Sequence, residues 1–511
     1  MKELCTAEEM RSYEGYLMET LGIPSLLLME RAASYVAQAV CDMCRFGYSR
    51  KVLIVAGRGN NGADGLAAAR MLCEKREFSV SVYIAGNSSH ASEAWLVQDG
   101  ILKRMGMVYE TGLDTALAQK PDVIVDALFG IGFHRQLSAE VAALVESINR
   151  YRAETESKVI SVDIPSGLHA DSGRALPVAV RADRTVTFGC RKRGMYLNEG
   201  RRYCGVVQCG AIGVQRPGGH DIHDLLPEST DLDRLLPARD PLGHKGTFGK
   251  VLCITGSEEM PGAMLLSAKA ALEAGAGMVK VLSPGANRDL LMQELPEAMY
   301  VPMDQPNEAR LAKELAWADT VLLGCGLGKE RAAEFLRTRA MAECDKKMVI
   351  DADGLNALAE QTAFLRERKK RGQATILTPH PGEFVRLFPQ EEKGGWQSPE
   401  RVRALAVEYG AVLAAKSATT LVSDGTYVYY NTLGNDGMAT AGSGDVLAGI
   451  TAALACVCKD AVTAALCAVL LHAACGQKAA ERAGSARALR ASGMVKQLPD
   501  MLDPEGLRAE E

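Results

Sequence analysis

The sequence predicts an α/β protein with two largely parallel-sheet domains, and three observations lead there. Its 511 residues exceed what one hydrophobic core normally organises, so two or more domains are the default. Through two long blocks, short β-branched runs alternate with Ala/Leu-rich helical stretches, without the polar–apolar alternation of an all-β chain. Between the blocks, from Ala211 to Leu242, the text turns irregular, with QRPGGHDIHD and then a Pro-rich, charge-mixed passage. The boundary falls near residue 222, which gives domains of 1–221 and 222–511.

In the first block the strand candidates are KVLIVAG from Lys51, SVSVYIAG from Ser79, DVIVDALFG from Asp122, KVISVDIPSG from Lys158 and RTVTFG from Arg184. Helices at about 25–43, 64–75 and 138–150 fill the intervals. The second block starts at GKVLCITGS from Gly249 and continues through MVKVLS, DTVLLGCGLG, KMVIDADG, ATILTPH and AVLAAKS. TTLVSDGTYVYYNT, from Thr419, reads as a hairpin around Asp424 and Gly425. After Asp445 the chain reads as helix, and the tail DPEGLRAEE is expected to fray.

Composition removes several classes of function. A net charge of −5 offers no basic field for nucleic acid or anionic lipid. No apolar run is expected to span a membrane, and MKELCTAEEM places acids where a signal peptide would be apolar, so a cytoplasmic protein is expected. The 14 cysteines are scattered singly through apolar segments, as small buried hydrophobes are, rather than in a disulfide framework. Cys41 and Cys44 form a C-x-x-C without a second pair at zinc spacing.

The stretch Thr440 to Ile450, TAGSGDVLAGI, carries the sharpest chemical signal. Gly442, Ser443 and Gly444 leave backbone N–H groups pointing outward at the start of an apolar helix, where free donors and the helix dipole favour phosphate. An acid at Asp445 would repel that anion unless it served as proton acceptor for a hydroxyl attacking the phosphate. An acidic first turn of an ordinary helix is the plain alternative. In the first block, GRGNNGADGLAAAR follows the first strand and runs into a helix, where a doubly wound sheet binds ligand. Asp126 and Asp163 end two further strands, so Asn60, Asn61, Asp64, Asp126, Asp163 and Ser166 should converge on one crevice.

Through NNGADG, DALFGIG and DIPSGLHADSG the first block, residues 1 to about 215, resembles the epimerase domain of the NAD(P)H-hydrate repair enzymes, a Rossmann-like fold. That resemblance implies contacts to the hydrated nucleotide from Asn60, Asn61, Gly62, Ala63 and Asp64, from Gly130, Ile131, Gly132, Phe133, His134 and Arg135, and from Asp163. It implies potassium ligation by Asn61, Asp126 and Ser166, and oxygen ligands of this kind suit a hard monovalent cation. Asp163 is the candidate base, on its place at a strand end beside the crevice. Two positions depart from the family's pattern: Ala63 stands where a second Gly is usual and Ile131 where Thr is common. A left-handed backbone at Ala63 would be strained.

DADGLNAL, TPHPGE and AGSGDVLAGI make residues 225 to 505 resemble the ribokinase-like dehydratase that acts on NAD(P)H hydrates. Ala263, Gly326, His380 and Asp445 would then touch the hydrated dinucleotide. Lys416, Ser417, Ala418, Thr419, Thr420 and Gly444 would hold the adenine nucleotide. Ser417 replaces a frequent Gly, and Asp436-Gly437 a Pro-containing turn. The resemblance implies ADP as co-substrate, Mg²⁺ in the dehydratase and a homo-oligomer. A small-molecule kinase of the ribokinase class and a dinucleotide sensor without turnover are the competing readings; the first leaves the N-terminal block without a use, the second leaves Asp445 without one.

Overall fold

The computed structural model describes residues 1–44, 50–86, 91–214, 222–389 and 398–502. The stretch 215–221 of the irregular passage and the tail 503–511, expected to fray, lie outside these residues. The chain divides into two compact units, Glu3–Ile222 and Met1–Lys2 with His223–Glu511.

In the first unit six parallel strands lie in the order Phe78–Ile84, Arg50–Ala56, Val123–Ala127, Lys158–Val162, Arg184–Phe188, Val206–Gly210. The central strands read almost wholly apolar because helices cover both faces. Winding reverses between Arg50–Ala56 and Val123–Ala127, and a doubly wound sheet opens its ligand crevice at that reversal. Helix Asn60–Cys73 starts earlier than the expected residue 64, because Ala63 N–H already donates to the Gly59 carbonyl at 3.0 Å. NNGADG is therefore helical, and Ala63, fully buried in it, escapes the left-handed backbone that would have strained it.

The second unit orders its strands Met299–Pro302, Met278–Ser283, Lys250–Ile254, Thr320–Leu323, Lys347–Ile350, Thr375–Leu377, Val412–Ala415, Thr420–Ser423, Val428–Asn431, Asp224–Leu226. Pairing is parallel as far as Val412–Ala415; Thr420–Ser423 then runs antiparallel both to Val412–Ala415 and to Val428–Asn431, with which it forms the expected hairpin, Gly425 at φ +102° in its turn. Winding reverses between Lys250–Ile254 and Thr320–Leu323. Helix Ser443–Val457 packs on the sheet and against helix Pro261–Glu273; a Cβ on Gly449 would meet the Ser267 carbonyl oxygen at 2.2 Å, so glycine permits that approach. Contrary to the sequence expectation, helix Ala461–Arg482 is long and apolar enough to cross a membrane, but 72% of its apolar window is buried as core of the unit.

Candidate active sites

In the first unit the carboxyl ends of the strands open into a cavity of about 1190 Å³. Asn60, Asn61, Asp64, the run Gly130 to Arg135, and Asp163 all line it. Gly62 and Ala63 do not; they pack the first helical turn onto the strand end, where a Cβ on Gly62 would lie 1.9 Å from the Gly57 carbonyl oxygen. Gly130 is pressed between two site residues, since a Cβ there would lie 2.8 Å from Asp163 Oδ2 and 3.3 Å from Asn61 Oδ1.

Asp163 takes a left-handed backbone, φ +65°, unusual for a residue with a side chain. Its Oδ2 accepts from Ile131 N–H at 3.0 Å, and its Oδ1 stands 2.7 Å from the Lys192 ammonium. Lys192 is 1% exposed and also donates to the Thr187 hydroxyl at 2.8 Å and the Phe188 carbonyl at 3.0 Å. Burial, the largest effect, disfavours its charge, yet Asp163 together with the other groups around it holds the ammonium above its ordinary pKa. Sequence reasoning missed Lys192, because a Lys in the run CRKRG looks like a solvated charge. Asp64 is pushed well above the ordinary carboxylate range by burial and then by Asp163 and Glu14.

Asp126 and Ser166 lie beneath the cavity, both fully buried. Asp126 accepts from Ser161 Oγ at 2.8 Å, Ser166 N–H at 2.9 Å and Ser166 Oγ at 2.5 Å. Burial raises its pKa and these hydrogen bonds oppose the rise. Asn61 is 9% exposed, and both atoms of its amide lack a hydrogen-bond partner. A buried polar group left unpaired costs roughly 1–3 kcal/mol, so this amide is shaped for something that binds. An amide oxygen together with carboxylate and hydroxyl oxygens fits a hard monovalent cation.

In the second unit Gly442 adopts φ +85° and helix Ser443–Val457 begins without a side-chain cap. His472, buried and held by desolvation at a pKa of about 4, places Nε2 3.0 Å from the Ser443 carbonyl oxygen and steadies this turn as a neutral imidazole. Asp445 is half-buried, and its pKa is raised to about 6 by desolvation and then by Asp351, against opposing effects of Cys325 and Lys416. Asp351, 2% exposed, accepts from Lys416 Nζ at 2.8 Å. A Cβ on Gly444 would lie 3.2 Å from Lys416 Nζ and 3.6 Å from Asp351 Oδ2, so the predicted nucleotide residues Lys416 and Gly444 meet.

Gly326, at φ +57°, and Ala263 also meet, since a Cβ on Gly326 would lie 2.6 Å from that of Ala263. His380 caps helix Pro381–Leu387: its Nδ1 accepts from Gly382 N–H at 3.0 Å, and its Nε2 is 3.2 Å from Glu383 Oε1. Burial and then Lys416 lower its pKa, so it stands as a neutral ring. Ser417 to Thr420 form a tight turn, with Thr419 N–H donating to Ser417 Oγ at 3.2 Å and Ser417 N–H to Thr420 Oγ1 at 3.4 Å. Ala418 sits within that turn.

Cys325, Asp351 and Asp445 bring their ligand atoms within 4.8 Å of one another. Mg²⁺ prefers oxygen and shares its shell with substrate phosphates, so the two carboxylates fit it. Cys325, whose thiol burial raises well above its ordinary pKa, stays a neutral neighbour. The sequence does not single out Asp351 or Cys325 as site residues; DADG and GCGLG close two strand candidates, and only the sheet brings them to one edge. Ala352, at φ +49°, marks that turn as strained beside the site.

A ligand cavity at the carboxyl ends of the first unit's parallel strands, and a raised-pKa carboxylate at an uncapped helix start in the second, mark a two-unit α/β enzyme. Residues 251–499 match the family described as NAD(P)H-hydrate dehydratase, and residues 25–194 that described as YjeF-related protein N-terminus. The bifunctional NAD(P)H-hydrate repair enzyme Nnr of Moorella thermoacetica is 35% identical over 522 residues, spanning 98% of this chain and 96% of its own. That of Coxiella burnetii is 32% identical, spanning 99% and 100%. An ADP/ATP-dependent NAD(P)H-hydrate dehydratase from Bacillus subtilis, co-crystallised with ATP and Mg²⁺, aligns with 54% of this chain and 97% of its own at 28% identity and a TM-score of 0.47. The chain belongs to the family of bifunctional NAD(P)H-hydrate repair enzymes.

Proposed function

We propose that the two units divide the repair of hydrated NADH and NADPH. Residues 1–221 epimerise the R and S hydrates, and residues 222–511 dehydrate the S form with ADP, releasing AMP and phosphate. The hydrate carries a hydroxyl on a ring carbon next to nitrogen, and hydroxide leaves poorly near neutral pH. Transfer of a phosphoryl group to that hydroxyl converts it into a good leaving group.

In the dehydratase, Asp445 takes the hydroxyl proton as the oxygen attacks the terminal phosphoryl of ADP. The Gly444 amide, the helix N-terminus and Lys416 hold the phosphate oxygens, where fixed donors stabilise developing charge without reorganising. Mg²⁺, which Asp351 would hold when bound, would neutralise phosphate charge and leave Asp445 free to act as base. The carbon–oxygen bond then breaks as the ring nitrogen's lone pair drives phosphate out, and loss of a ring proton restores the double bond. Ala263, Gly326 and His380 orient the ring, and Ser417 to Thr420 the nucleotide. In the epimerase, Asp163 is the base, fixed in place by the Lys192 ammonium and the Ile131 N–H, and Asn61, Asp126 and Ser166 would hold K⁺.

One observation carries this reading: an acid of raised pKa stands at an uncapped helix start beside a half-buried lysine, where a ligand-only site would keep no acid. Asp445→Asn tests it, with normal ADP binding and lost turnover expected; unchanged turnover would remove Asp445 from the chemistry. Self-association, implied by the resemblance, is read by light scattering on the purified chain.

A further inference from the structure

Arg58 is not among the groups that meet the reacting ring. It stands between Gly57 and Gly59 at the end of strand Arg50–Ala56 and lines the first unit's cavity. Its guanidinium carbon lies 4.9 Å from the ring centroid of Trp95, which is itself 3% exposed. Nε donates to the Gly86 carbonyl at 3.3 Å, and among the described residues the two terminal nitrogens have no protein partner. One flank of the guanidinium is thus braced and the other left open. Its fork is oriented before any ligand arrives, which lowers the entropy lost on forming paired hydrogen bonds.

Beside it begins helix Asn60–Cys73, 14 residues long, with no side-chain cap on its first N–H groups. Such a start favours an anion. Asn61 points the same way independently: it lines the same cavity, is 9% exposed, and leaves both amide atoms unpaired. With its Oδ1 turned to a cation, Nδ2 remains a donor for an oxyanion. A planar guanidinium, free backbone amides and a side-chain amide converging at one sheet edge match a phosphate far better than a ring or a carboxamide.

We propose that Arg58, with the amides opening helix Asn60–Cys73 and Asn61 Nδ2, seats the diphosphate bridge of the hydrated dinucleotide in the first unit. The inference deepens the epimerase reading and rests on it. The bridge is common to hydrated NADH and hydrated NADPH, so Arg58 positions both alike and leaves the 2′-phosphate to other groups.

The test compares the full-length parent with Arg58→Ala on hydrated NADH and on hydrated reduced nicotinamide riboside, which carries the reacting ring without phosphate. Expected is a KM for hydrated NADH raised roughly 10- to 100-fold with kcat within about three-fold, the loss of one charge-assisted contact made equally in ground and transition states. The riboside should be turned over alike by both proteins, and Arg58→Lys should recover only part of the KM. An unchanged KM, or an equal loss on both substrates, overturns the proposal. ADP-ribose, which carries the bridge without the ring, should quench Trp95 emission in the parent and not in Arg58→Ala. That readout stands even where epimerisation itself fails, so the two readings fall separately.

Discussion

Asp351 accepts a 2.8 Å hydrogen bond from the Lys416 ammonium, and this pair sets the charge that Asp445 feels. Asp351 raises the Asp445 pKa and Lys416 opposes the rise. Lys416→Met should therefore move the acid limb of dehydratase activity to higher pH and weaken ADP binding. A variant with the parent's pH profile would show that the ammonium does not act on Asp445.

A base with a pKa of about 6 makes a specific demand on the pH profile. Dehydratase kcat should fall tenfold per pH unit below about 6 and level off above it, since only the ionised form accepts a proton. Asp445→Asn should lose roughly 10²–10⁴ in kcat and leave the affinity for ADP within a few-fold.

The same shift bears on stability. Folding favours protonated Asp445, so that stabilisation is complete below the ordinary 3.8 and gone once pH rises past about 6. Above pH 6 the ionised carboxylate is a burden on the fold. Asp445→Asn should then unfold at a higher temperature than the parent at pH 7.5, by an amount on the order of 1–2 kcal/mol, and lose that advantage near pH 4. Differential scanning calorimetry at the two pH values reads the sign directly.

The buried pair in the first unit predicts a coupling. Lys192→Met leaves the Asp163 carboxylate without its ammonium and should cost about 3–5 kcal/mol of stability in the first unit. The double variant with Asp163→Asn should recover part of that loss and stay inactive as an epimerase. Urea unfolding of the four proteins in the cycle measures the coupling, and additive losses would refute the pair.

Gly130→Ala tests the geometry of the epimerase site. The added methyl would press on Asp163 Oδ2 and Asn61 Oδ1, at 2.8 and 3.3 Å. Epimerisation should drop by at least tenfold while dehydration of pure S hydrate is untouched. Equal losses in both assays would point to misfolding instead.

Much of this was legible in the chain because buried parallel strands write themselves as apolar runs, as in KVLIVA and MVKVLS. The strands that escaped lie at sheet edges or are very short. Val206–Gly210 is half-exposed, and Met299–Pro302 ends in proline. At the sites, glycine-rich turns and acids at strand ends were readable by local pattern. Lys192 and Cys325 were not, since each gains its meaning only from a partner far along the chain: Asp163 for the lysine, Asp445 for the thiol. Helix Asn60–Cys73 began early for a related reason, because two asparagines and two glycines disguise a first turn that packing against the strand end makes favourable.

The most direct test mixes the purified chain with Mg²⁺, K⁺ and either ADP or ATP, adds an R/S mixture of hydrated NADH, and follows the return of reduced-nicotinamide absorbance. The account predicts full recovery of both epimers with ADP as donor, and recovery stopping at the S fraction in Asp163→Asn. No recovery with either donor, together with a stable phosphorylated product from an added alcohol, would contradict it and make the second unit a small-molecule kinase.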